Sequence, residues 1–154
     1  MTIASVNLWG RRIGAILWED EARIGRFEYD PAFVPSGIEL APLMMPLAAR
    51  DYSFPALNRD TFHGLPGMLA DVLPDRYGNA LIDAWLVSEG RNPGSFNPVE
   101  RLCYTGSRGI GALEFQPTLG DAERTSNPLD VAALVDLAGQ ILSDRQSFAT
   151  SLQQ

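Results

Sequence analysis

Ala4-Ser5-Val6-Asn7-Leu8, Ile13-Gly14-Ala15-Ile16-Leu17-Trp18 and Ile24-Gly25-Arg26-Phe27-Glu28-Tyr29 are three short runs rich in β-branched and aromatic residues. Turn-rich or charged segments separate them: Trp9-Gly10-Arg11-Arg12, where Gly10 can take a positive φ, and Glu19-Asp20-Glu21, a charged hairpin tip. The pattern predicts a β-meander. Ile24, Arg26 and Glu28 fall on one side of the third run and Gly25, Phe27 and Tyr29 on the other, so the sheet is expected to bury one face. Asp30-Pro31 ends that strand.

Downstream, Pro35, Pro42, Pro46, Pro55 and Pro66 exclude long helices and confine strands to short or edge positions. Leu43-Met44-Met45-Pro46-Leu47 and Tyr52-Ser53-Phe54 are the apolar stretches expected to join the sheet. Pro66-Gly67 opens a short helix predicted to run through Leu73, and Pro74 fits the first turn of a second helix, where a missing N–H costs nothing. Leu81, Ile82, Trp85 and Leu86 recur at helical spacing before the Glu89-Gly90 stop. A third helix is expected from Asn97-Pro98, capped by Asn97, with Val99, Leu102 and Cys103 on its buried side. The glycine-rich turn Gly106 to Gly111 then feeds a strand over Ala112 to Phe115. After a connector, Asn127-Pro128 starts a segment whose Val131, Leu134, Val135, Ala138, Ile141 and Leu142 form one apolar stripe of a helix reaching about Phe148. The fold class read from these elements is α+β: a small antiparallel sheet or partial barrel, several packed helices and a C-terminal helix.

The 154 residues and 45% apolar composition suit one domain with a trailing element. A net charge of −7 repels a phosphate backbone and argues against direct nucleic-acid binding. All 12 basic residues are arginine, which excludes any lysine-based chemistry, a phosphate-anchoring lysine included. The single cysteine, Cys103, cannot form an internal disulfide, and no apolar run approaches the roughly 18 residues that span a bilayer. With no signal-peptide pattern at Met1-Thr2-Ile3-Ala4-Ser5, a cytoplasmic location and no membrane partner are expected.

Four features invite a chemical reading. Gly106-Ser107-Arg108-Gly109-Ile110-Gly111 resembles phosphate-binding loops, but those run from strand into helix, whereas this loop is expected to run from helix into strand. Its Gly106-Ser107-Arg108-Gly109 also fits the four-residue loop of KH domains, which joins two helices in a basic surface. A structural turn is the better account. His63, the one histidine, cannot build a histidine metal cluster, and its flanks suggest a hydrogen-bonded packing residue. Cys103 reads as a small buried hydrophobe. Asp71 and Asp75 have the spacing of paired carboxylates, but Pro74 interrupts the helix that would align them. Asp75 then reads as favouring the start of the following helix and Asp71 as a turn cap or a partner of Arg76. Among Trp9, Trp18 and Trp85, Trp85 reads as core and Trp9 as partly exposed at a turn, and at least one of the three is a candidate interface anchor. No catalytic, cofactor-binding or metal-ligating residue is assigned. A small enzyme would need Asp71, Asp75 and His63 to converge on a cleft.

Phe62-His63-Gly64-Leu65-Pro66, ending in Leu73-Pro74-Asp75-Arg76-Tyr77-Gly78, and Pro98 to Phe115 with its Gly109-Ile110-Gly111-Ala112-Leu113 core are together similar to the two hallmark segments of the amino-terminal domain (N-terminal subdomain 1) of the HipA family. These are serine/threonine kinase toxins of bacterial toxin–antitoxin systems associated with persistence. The resemblance implies a HipA-like N-terminal domain over residues 1–116 and a connector and helix over 117–154 leading toward a kinase core. It implies a non-catalytic interaction and regulatory domain that packs on the kinase core, in cis or in trans, and aids binding of a HipB-like helix-turn-helix antitoxin. In the family the glycine-rich loop, lysine, catalytic aspartate and magnesium ligands come later, so ATP and magnesium would belong to the kinase domain and no cofactor is expected here. Two forms stay open: a fragment of a longer toxin, which the apolar stripe favours, and a stand-alone HipS-like antitoxin that binds and inhibits a separate short kinase.

Overall fold

A computed structural model describes residues 1–109 and 111–118. Ile110, the connector beyond Thr118 and the amphipathic segment ending near Phe148 lie outside the described residues. The meander forms as its pattern predicts, with β1 (Thr2–Leu8), β2 (Arg11–Glu19) and β3 (Ile24–Tyr29) joined by tight turns. A two-residue strand β4 (Asp51–Tyr52) borders β3, and β5 (Leu113–Pro117) returns to pair with β1. All pairings are antiparallel in the order β4-β3-β2-β1-β5, so the sheet is open rather than a partial barrel. The helices are α1 (Arg59–Phe62), α2 (Gly67–Ala70), α3 (Arg76–Ser88) and α4 (Pro98–Thr105), which makes the fold α+β. The described residues form two compact units: Met1–Pro74 with the chain from Phe96 onward, and Asp75–Ser95.

In the larger unit the register aligns Ala4 with Ile16, Ile16 with Phe27 and Val6 with Phe115, and all five are fully or almost fully buried on one sheet face. Leu65, Leu69, Val72, Val99 and Leu102, from the loop before α2, from α2 and its following turn, and from α4, complete this core. Each fully buried side chain of this size contributes roughly 1.5–3 kcal/mol. The opposite face carries Arg26 and Glu28, and Arg26 reaches Glu19 at 2.6 Å and Asp51 at 3.3 Å. This is the one-sided burial that Phe27 and Tyr29 imply, although Ile24 is buried as well. Between Val6 and Asn7 the β1–β2 register slips, leaving Ile13 as the extra residue of a bulge. Its carbonyl accepts the Asp30 N–H at 2.8 Å and its side chain is buried.

Four expectations about these elements need correction. The stretch Leu43 to Leu47 does not join the sheet: Pro42 and Pro46 lack the N–H a ladder needs, and only an isolated bridge between Ala41 and Met45 forms. Met45 instead plugs the core, its carbonyl accepting the Tyr29 hydroxyl at 2.9 Å, while Leu43 is 94% exposed. Asp51–Tyr52, rather than Tyr52 to Phe54, supplies the strand. The helix after Pro66 lasts one turn, because Val72 and Leu73 donate to carbonyls three residues back and tighten the chain before Pro74. Finally, Pro74 precedes α3 instead of entering it, since the Asp75 carboxylate takes the N-cap and accepts the Gly78 N–H at 2.7 Å.

The other ends follow the sequence closely. α3 stops in a Schellman turn, with Gly90 at φ 71°, its N–H on the Val87 carbonyl at 3.0 Å and the Arg91 N–H on the Leu86 carbonyl at 2.8 Å. α4 opens with a capping box: Asn97 accepts from the Glu100 N–H at 3.0 Å and Glu100 accepts from the Asn97 N–H at 2.7 Å. The Asn97 amide also donates to the Thr2 hydroxyl at 2.8 Å, tying α4 to the start of β1.

Candidate functional site

The segment Phe62 to Pro66 is a docking loop. Leu65 and Pro66 are buried, and the Gly64 carbonyl accepts the Gly25 N–H at 2.8 Å, so the loop lies along the β2–β3 hairpin. Gly64 has φ 80°, and a Cβ there would stand 2.4 Å from the Arg23 carbonyl oxygen. Only glycine permits that approach. One turn earlier, Arg59 of α1 reaches across to the same hairpin and donates to the Arg23 carbonyl at 2.5 Å and the Ala22 carbonyl at 3.2 Å.

These contacts leave an open groove of about 660 Å³ lined by Trp18, Glu21, Arg23, Arg59, Asp60, His63 and Pro98, among others. Trp18 forms an apolar floor at 4% exposure, and charges of both signs line the walls. His63 is not the packed residue its neighbours suggest. It closes α1 in the left-handed conformation at φ 53°, its N–H on the Arg59 carbonyl at 3.0 Å, with an exposed ring. A mixed-charge groove with a tryptophan floor suits a polar segment of another protein. The convergence of Arg23 with Arg59 was hidden from local patterns, because the contact joins residues 36 apart; the one available signal was the charged pair Arg59-Asp60 directly before the Phe62-to-Pro66 loop.

The remaining candidates take structural tasks. Asp75 caps α3, and Asp71 ends α2 as an exposed C-cap residue whose N–H bonds the Gly67 carbonyl at 3.0 Å. Among the described residues, no three His, Cys, Asp or Glu side chains cluster as a metal ion requires. The Gly106 to Gly111 loop leaves the C-terminal end of α4 and enters β5, as expected from its helix-to-strand order. Carbonyl groups, not N–H groups, face such a loop, so the helix end there disfavours an anion. Cys103 is half-buried against the core. Nearby, Tyr104 packs edge-on to Phe96 with ring centres 6.3 Å apart, and burial pushes its phenol up to about 12. Trp85 is only half-buried, in contrast to its core reading, and Trp9 is 78% exposed.

Among the described residues no helix is long and apolar enough to cross a membrane. No curated protein matches the chain. Residues 4–116, which include the meander, the docking loop, α3, α4 and most of β5, match the family profile described as the HipA N-terminal domain, with no kinase catalytic domain detected beside it. This chain belongs to the HipA N-terminal domain family, which is related to toxin–antitoxin systems.

Proposed function

We propose that the chain is a non-catalytic interaction and regulatory domain of a HipA-type serine/threonine kinase system, one that packs on the kinase core and helps the complex engage its antitoxin. The observation that carries this reading is the family match across residues 4–116, which is confined to the N-terminal domain. The fate of the reactive-looking residues supports it: Asp75 caps a helix, Asp71 ends one, and the glycine-rich loop trails a helix C-terminus. No lysine ammonium for gripping phosphate can come from these 154 residues, whose 12 basic side chains are all arginine. The boundary at residue 116, with 117–154 leading toward the kinase core, belongs to the same proposal.

The test is calorimetric titration of the chain against the kinase encoded in the same or the adjacent reading frame, with a radiolabelled ATP assay of the chain alone. Binding without phosphoryl transfer by the chain is the expected result. Inhibition of the kinase by the bound chain would assign the stand-alone antitoxin role instead, and ATP turnover by the chain alone would overturn both.

A further inference from the structure

Trp9 and Gly10 form the two-residue loop between Leu8 and Arg11, with φ values of 50° and 74°. Two-residue hairpin loops with positive φ at both positions favour Asn-Gly, because asparagine tolerates the left-handed region and bulky side chains do not. A tryptophan there strains the backbone, and at 78% exposure its indole recovers little burial within the chain. Folding alone therefore disfavours this residue, and backbone strain of this kind clusters where a binding surface uses it. The neighbours supply the chemistry. Arg11 and Arg12 are exposed at the same tip; Arg11 rests its guanidinium 5.3 Å from the Phe33 ring centre, and Arg12 sits 3.2 Å from Asp30. Tryptophan and arginine, with tyrosine, are the residue types enriched among those that carry binding energy at protein interfaces. In a chain of net charge −7, this cationic tip is a favourable point of approach for carboxylates on another protein.

We infer that the Trp9 hairpin tip is an anchor that inserts into an apolar pocket rimmed by carboxylates on the kinase domain, an inference that rests on the interaction role proposed above. Calorimetry of the full chain against that kinase domain, run beside thermal unfolding of the chain alone, tests it with Trp9→Asn. The expected result is an unusual pair of opposite effects. Binding weakens about 30-fold or more, while the melting temperature of the free chain rises by about 4 °C as the turn gains its preferred residue. Trp9→Phe, which keeps an aromatic anchor, should retain most of the affinity. Equal Kd values for the unsubstituted and Trp9→Asn chains overturn the anchor alone, and a lowered melting temperature assigns Trp9 a structural task instead. No binding by the unsubstituted chain overturns the interaction role as well. Retention of the chain on phosphatidylglycerol vesicles that Trp9→Asn abolishes would reassign the tip to a lipid surface and overturn the inference.

Discussion

The β1–β2 and β2–β3 hairpins leave opposite ends of the same sheet and meet opposite fates. The β2–β3 tip is gripped: Arg59 holds the Ala22 and Arg23 carbonyls, and the Gly64 loop lies against the Arg23 backbone. The β1–β2 tip projects Trp9 into solvent, and a Cβ at Gly10 would meet nothing within 4 Å. Both tips hold a non-glycine residue in the left-handed region, Arg23 at φ 52° and Trp9 at φ 50°. At Arg23 the surrounding contacts over-determine the backbone within the chain. At Trp9 no comparable grip is present among the contacts described above, so its strain is the one that calls for a partner.

The largest expected effect breaks the gripped side. Gly64→Ala combines a left-handed φ of 80° with a Cβ at 2.4 Å from the Arg23 oxygen and 3.2 Å from the Trp18 ring, so the loop must leave the hairpin. The loss should exceed about 4 kcal/mol in urea unfolding, the range reserved for strain joined to core disruption. Arg59→Ala comes next. It removes two charge-assisted bonds to carbonyls but leaves the glycine seat intact, and should cost about 1–2 kcal/mol by the same measurement. A loss near zero for Arg59→Ala would mean that the Gly64 seat alone fixes the tip.

What the sequence made legible divides along the same line. The meander, the Asn97 cap and the Gly90 stop were readable because each rests on residues within one turn or one strand: alternation at Phe27 and Tyr29, Asn97 and Glu100 at capping-box spacing, a glycine after the last periodic residue. The groove was not, since Arg23, Arg59 and His63 meet only after the Phe62-to-Pro66 loop folds back on a hairpin tens of residues earlier. The apolar run at Leu43 to Leu47 misled for a third reason. Composition indicates that a segment will be buried, but not whether its backbone can pair, and prolines on either side left Met45 as a plug rather than a strand residue. Trp9 was legible as a turn residue with some exposure; the mismatch between its side chain and its φ required the fold.

The smallest effect sharpens the contrast most cleanly. Gly10→Ala and Gly64→Ala place the same methyl group on glycines of nearly equal φ, 74° and 80°, so the intrinsic conformational cost is shared and only the surroundings differ. At Gly10 that cost stands alone and should amount to about 1 kcal/mol. The difference between the two variants then isolates what the docking loop adds: at least about 3 kcal/mol if Gly64 is seated against the Arg23 backbone as described. Equal losses at both sites would mean that the loop yields to the methyl group without leaving the hairpin. In that case the grip at the β2–β3 tip would rest on Arg59, and Arg59→Ala should become the more damaging of the two substitutions there.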